Sequence, residues 1–298
     1  MAQSAPLVTP SAERTRRAER TSKEGPLWCR GRVPDGLPGI LYRSPLFQVN
    51  RDSALFCFPT IGSFLVRPGE ATVVDVADGA TNDDVECLLR GPVGALRSFL
   101  AGEFALRGSA IELGDRALVA CGIASGTSSL VAALALRGHR VLADGIVVIN
   151  GPSLGVSTVP EARDCKVTLW PDSVEALGLD ATEGLLVRPS LVSRSFSLGL
   201  PPNPAPVVLG ALVALEVTVA PQASGAVAAQ PMPVSRKMKV VMEAQWHPKL
   251  VLAFGNQLEH FQWLARLAEA PGFDLRYPPG PASLTLPGLI DQAEGLLG

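Results

Sequence analysis

No two cysteines of this chain stand in CxxC spacing, no histidine lies at metal-ligand distance from one, and no apolar run approaches a bilayer crossing. Cys29, Cys57, Cys87, Cys121 and Cys165 are odd in number and scattered. That excludes a disulfide framework and predicts reduced thiols serving mostly as small core hydrophobes. The longest apolar run, Val207 to Leu215, is far too short to span a membrane. The first residues also lack the apolar core of a secretory signal, so a cytoplasmic protein off the membrane is expected. Charge of one sign is missing too: 26 Lys and Arg against 28 Asp and Glu leave a net charge of -2, which offers nucleic acid and anionic lipid no general attraction. With 18% charged and 47% hydrophobic residues the chain is globular rather than disordered. Its 298 residues are enough for one large domain or two modest ones.

Residues 1–25 mix Ser, Thr, Pro, Ala and charges without apolar periodicity, and predict a disordered tail. From 26 to 102 a small α+β lobe is expected. Short apolar runs such as "ALFCF", "SFLV" and "ATVVDV" alternate there with Pro, Gly and Asp turns. "TNDDVECLLRG" follows as a helix capped by Asn82 or Asp83, and "GPVGALRSFLAGEF" as a second helix. A second domain, 103–298, opens with "SAIELGDRALVACG", a hairpin turning at Gly-Asp. "WPDSVEALGLD" predicts a helix begun by Pro171 and ended by Gly178. "PVVLGALVALEVTV" and "SRKMKVVMEAQ" read as a strand pair around a loose, mobile loop over 220–233, and "NQLEHFQWLARLAEA" as an amphipathic helix before a Pro-rich end.

The stretch that carries chemistry is "ACGIASGTSSLVAALALRGHRVLADG", residues 120–145. An apolar strand enters a Gly/Ser loop, an Ala/Leu helix follows, and a second strand ends in an aspartate. A phosphate-binding loop has the form G-x-x-x-x-G-K-[ST], in which backbone N–H groups and a helix N-terminus hold phosphate, Lys neutralises it and the hydroxyl binds magnesium. Gly122 begins such a loop, but no lysine stands in it. In the gapless register Thr127 would occupy the second glycine position, where positive φ penalises a β-branched residue. A loop one residue shorter makes Gly126 the second glycine, puts Thr127 in the place of lysine and Ser128 in the magnesium-binding place, and is preferred.

With the phrases "RGHRVLADG", residues 137–145, and "VTLWPDSVEALGLD", residues 167–180, the chain resembles the C-terminal domain of HPr kinase/phosphorylase and its HPr-kinase-related proteins. Counting back from Gly138, the helix aligns with that family only if the loop is one residue short. The resemblance implies a P-loop kinase fold of the HPr kinase and phosphoenolpyruvate carboxykinase type, with a mixed, strand-rich sheet and flanking helices. It implies ATP- or pyrophosphate-dependent phosphorylation of a serine on a peptide or small protein, with Mg2+; HPr kinases assemble as rings, but no residue pattern of this chain carries a homo-oligomer over. Asp144 matches the first aspartate of the family pair, the general base. Gly122, Ser125, Gly126, Thr127, Ser128 and Ser129 match the nucleotide-binding loop, with Ser128 on the metal. The sequence departs from the family at four points: the lysine is gone, a loop residue is missing, Gly145 replaces the second aspartate, and Arg107 stands where a histidine is usual.

Each residue also has a plain structural reading. Ser128 either binds magnesium or caps the helix; Asp144 is either a base or an acid ending a strand beside a turn glycine. His139 reads as a turn residue, His260 as lying on a half-buried helix face, and Trp170, Trp246 and Trp263 as packing residues. Arg107, Lys166 and Arg194 are candidates to replace the lost charge. Phosphoryl transfer depends on positioning and charge stabilisation, so the missing groups point to a degenerate kinase-like protein that binds a nucleotide or a peptide partner. An active serine kinase and a structural subunit that binds nothing are the alternatives.

Overall fold

The computed structural model describes residues 27–122, 126–162, 164–187, 191–201, 203, 205–217, 227–278 and 282–297. The tail expected over 1–25 lies outside them. The chain divides into two compact units, one running to Ala80 with Leu96–Glu103, the other formed by Thr81–Ala95 and Phe104 onward.

In the first unit, β-branched and aromatic runs broken by turn residues form strands, as their alternation requires. These are β1 (Trp28–Arg30), β2 (Tyr42–Arg43), β3 (Phe47–Val49), β4 (Ala54–Phe58), β5 (Gly62–Val66) and β6 (Thr72–Val76). They make one sheet in the order β1-β6-β5-β4-β3-β2, with β1 parallel to β6. Phe47 packs on Phe56 and Phe58 meets Phe64 edge-on, with ring centroids 5.0 and 5.9 Å apart.

The helix α1 (Asn82–Leu88) is capped by Thr81, one residue before the first of the caps expected from sequence. Thr81 accepts from the Asp84 N–H at 3.2 Å while the Asp84 carboxylate accepts from the Thr81 N–H at 3.1 Å, a reciprocal box that Asn82 and Asp83 are too late in the chain to make. Past Pro92, α2 (Gly94–Leu100) follows.

The second unit is built on β7 (Phe104–Leu113), β8 (Arg116–Cys121), α3 (Thr127–Leu136), β9 (Arg140–Asn150), β10 (Gly155–Thr158), β11 (Val167–Leu169), α4 (Pro171–Ala176), β12 (Leu185–Leu186), β13 (Arg194–Phe196) and β14 (Val207–Val217). It continues through β15 (Ala228–Pro231), α5 (Val234–Ala244), α6 (Lys249–Phe254), α7 (Gln257–Glu269), β16 (Gly272–Tyr277) and α8 (Ala282–Gly295). Seven strands run in the order β10-β9-β7-β8-β14-β16-β15, and β10 also pairs with β14. The β7–β8 hairpin and β9 are antiparallel, whereas β8, β14 and β16 are parallel. This is a mixed, strand-rich sheet with flanking helices. One face buries α3, α4 and α8 through Leu130, Leu134, Val174, Leu289 and Ala293. The other face takes α5 and α7 through Val240, Val241, Ala244, Leu264 and Leu267. A smaller sheet, β11-β13-β12, adjoins α3.

Four expectations are corrected here. Residues 235–244 are helical rather than a strand, because Lys237, Val240, Val241 and Ala244 recur at helical spacing and bury together. Within the stretch read as a loose loop, 220–226 lie outside the described residues, but Ala228–Pro231 form β15 on the open edge of β16. The Pro-rich end holds β16 and α8, whose Leu286, Leu289, Ile290 and Ala293 repeat along one buried face. Side-chain burial differs as well: Trp170 is 58% exposed, Cys29 and Cys57 are exposed and Cys87 is intermediate, so the core reading of the thiols holds for Cys121 and Cys165.

The hairpin sits tightly against its neighbours at Gly108, which faces Gly145 on one side and Cys121 on the other. A Cβ there would strike the Ala120 carbonyl oxygen, a backbone atom that cannot step aside cheaply. Gly108→Ala should therefore lose about 1–3 kcal/mol of stability, the usual cost of overpacking, as measured by urea denaturation.

Candidate functional site

Sheet alternation places the site. Ile111 and Leu113 of β7 face α3, while Leu106 and Ala110 face α5, so Ser109 belongs to the α3 face. Directly opposite Ser109 in the antiparallel register is Asp144. β9 does not end there as the sequence suggested. It runs on to Asn150 because "IVVIN" supplies further apolar residues for both neighbours, Phe104–Arg107 and β10.

Over this pair sits the start of α3. Gly126 carries φ +79° and is its N-cap, with no side-chain capping bond. The positive φ thus falls on the residue without a Cβ, and Thr127 is already helical. Gly122 leaves β8 with its N–H donated to the Arg107 carbonyl at 3.2 Å. Ser125 lies outside the described residues.

The carboxylate of Asp144 collects these elements. Its Oδ1 accepts from Ser109 Oγ at 2.6 Å and from Ser128 Oγ at 2.7 Å, and its Oδ2 accepts from the Thr168 N–H of β11 at 2.8 Å. Thr127 Oγ1 lies 3.3 Å from Ser109 Oγ. Ser128 therefore spends its proton on Asp144 rather than on capping. Ser129 points elsewhere, donating to Ser173 Oγ at 2.8 Å and fastening α3 to α4.

Burial pushes the Asp144 carboxyl above its ordinary value, and the hydrogen bonds from Ser109, the Thr168 N–H, Ser128 and the Gly145 N–H draw it partly back. The Cys121 thiol, buried on the other face of the sheet, is pushed up to about 12 by burial alone, which makes it inert packing rather than a nucleophile.

Two of the proposed lysine substitutes are engaged elsewhere. Lys166 pairs with Asp164 at 3.1 Å, and Arg194 donates to the Gly184 carbonyl at 2.8 Å. His139 pairs with Glu294 at 3.1 Å, and His260 lies half-buried on α7, stacked over Phe104 with centroids 5.6 Å apart. Among the described residues no group of three or more His, Cys, Asp or Glu gathers to hold a metal. Asp144 and Ser128 do offer one carboxylate and one hydroxyl, hard oxygens of the kind Mg2+ takes when phosphate and water complete its shell.

Sequence reasoning singled out Asp144, Thr127 and Ser128. It missed Ser109 and Thr168, since a serine within a hairpin and a backbone amide carry no motif. The alternation of "RGSAIEL" was the available signal for Ser109.

No protein-family model matches this chain, and no curated protein does. Among solved structures, the Hpr(Ser) kinase/phosphatase from Coxiella burnetii is similar over 64% of this chain and 87% of that one, at 11% identity and a TM-score of 0.30.

An acid whose folded pKa is raised contributes stability fully below its unfolded pKa, and that contribution is lost as pH climbs through the folded value. Asp144→Asn removes this slope. Its carbonyl can take the Thr168 N–H while its amide donates to the two serine oxygens. From about pH 4 to about pH 8 the melting temperature of Asp144→Asn should rise relative to the native chain. A constant difference across that range would show that the carboxyl does not titrate above its unfolded value.

Proposed function

We propose that this chain is an HPr-serine-kinase-like protein that binds the phosphates of a nucleotide such as ATP and a peptide or small protein partner, and that transfers phosphate slowly or not at all. One observation carries the reading: Asp144, Ser109, Ser128 and the Thr168 amide converge at the start of α3, next to the left-handed Gly126. Helix N-terminal amides attract phosphate without needing a side-chain charge. The sequence resemblance of "RGHRVLADG" to HPr kinases adds the substrate class, a serine hydroxyl.

The weak transfer follows from the same contacts. A general base must reach the proton it removes, and both oxygens of Asp144 are already taken by the chain's own donors. An incoming serine has to displace Ser109 or Ser128. Thr127, neutral and 6% exposed, occupies the place where a P-loop puts its charge, so bound phosphate gains hydrogen bonds but little neutralisation. Bound Mg2+, held through Ser128 and Asp144, would supply charge at the phosphates. The chain's residues would orient the acceptor hydroxyl and receive its proton at Asp144 Oδ1.

ATP with Mg2+ should raise the melting temperature, since a ligand of the folded state at one hundred times its Kd stabilises by about 2.7 kcal/mol. No shift at millimolar ATP would leave the non-binding structural subunit. With labelled ATP and a serine-containing peptide, turnover should fall far below the range of about 1–100 s-1 usual for protein kinases and vanish in Asp144→Ala. Turnover inside that range would install the active kinase instead. Thr127→Lys should tighten ATP binding about tenfold, as one charged hydrogen bond does, in a calorimetric titration; an unchanged affinity would reject the one-residue-short register.

A further inference from the structure

We propose that Arg107 and Lys249 form the cationic half of an anion site beside Asp144, which takes the polyphosphate group of a nucleotide in place of a loop lysine. The inference rests on the reading above and adds the source of positive charge that the Gly122–Ser129 stretch lacks.

The placement comes from the strand. Arg107 stands two residues before Ser109 on β7, and side chains two apart share a face about 7 Å from one another. It therefore starts on the α3 face, one step along from the serine that holds Asp144. Its carbonyl receives the Gly122 N–H, so its backbone is the point from which the loop departs.

The chain after α5 continues along the same edge of β7 where β8 leaves it. Leu106 bridges Gln245, and the Trp246 N–H donates to the Ala105 carbonyl at 3.0 Å. These bonds bring His247 and Lys249 to Arg107, near enough that both cations hold the His247 imidazole below its ordinary pKa, after burial, which is the larger cause. His247 also adopts φ +52°, a left-handed conformation that a residue with a Cβ enters at a cost. Such strain persists where surrounding bonds impose it, commonly at functional positions.

Charge accounting singles out Arg107. Every other described arginine of the second unit meets a carboxylate or a carbonyl, as Arg140 does Glu112 and Arg236 does Asp274. Arg107 alone among them, though partly buried, meets neither, and Lys249 has no carboxylate within ion-pair distance among the described residues. A half-buried Arg107 and an exposed Lys249 that both act on the His247 ring, neither with a carboxylate among the described residues, favour a bound anion. Arginine suits the task, since its planar fork matches phosphate oxygens.

Calorimetric titration of the full chain with inorganic tripolyphosphate, and separately with ATP and Mg2+, tests this. Arg107→Gln should weaken both ligands about tenfold to a hundredfold, the worth of one charged hydrogen bond, and Arg107→Lys should recover part of the loss. Lys249→Gln should weaken them severalfold and flatten the salt dependence. Arg116→Gln, at the far end of the hairpin, serves as control and should leave both affinities alone. If the native chain binds ATP and Arg107→Gln binds it equally well, this assignment is overturned while the nucleotide reading stands. If the native chain binds neither ligand, the nucleotide reading falls first and the assignment with it.

Discussion

A buried carboxylate held by neutral donors organises this protein's candidate site. Asp144 is held by two serine hydroxyls and a backbone amide, all neutral donors, and its burial costs enough to push its pKa upward. Each donor comes from a different element: β7, the first turn of α3, and β11. One side chain thereby fixes the approach of a helix N-terminus and of the small sheet to the same strand. Hydrogen bonds to a charged group are worth about 1.5–3 kcal/mol each, and the burial of the carboxylate offsets them, so the arrangement orders the site more than it stabilises the chain.

That constraint explains the divided character of the site. The anion-attracting half is backbone: the start of α3 and the left-handed Gly126, which need no specific side chain beyond glycine. The half that would move a phosphate is side-chain charge, and there the sequence departs from the kinases it resembles. On the proposed reading Thr127 stands in the place of a lysine and Gly145 in that of an aspartate, while Ser128 is bound to Asp144. Backbone architecture survives such substitutions because packing against Leu130 and Leu134 holds α3 in place whatever its first turn carries. Electrostatic preorganisation does not survive them, because it is a property of the charged groups themselves. In the proposed site the positive charge comes from outside the loop, at Arg107 and the segment after α5, through strand pairing that no local motif encodes.

Much of this was legible before any coordinates. The hairpin, the α3 segment, the Pro171 start of α4 and the α7 helix follow from turn residues and periodicity. Asp144 and Ser128 were singled out by motif, and they are in contact. What escaped were features set by tertiary partners. "SRKMKVVMEAQ" looks strand-like because Val240 and Val241 are β-formers, yet its burial repeats at three and four residues once α7 lies beside it. β15 has little propensity of its own and exists because β16 offers an edge. Ser109 and the Thr168 amide became site groups only when β9 ran past Asp144 and β11 folded over it.

Hydrogen exchange at single-residue resolution, with and without ATP and Mg2+, tests the central claim most directly, since phosphate held on the helix N-terminus must protect those amides. Slowed exchange confined to Gly126–Leu130 and Thr168 is the expected result. Unchanged exchange there at saturating nucleotide, or protection appearing only in the first unit, would contradict it.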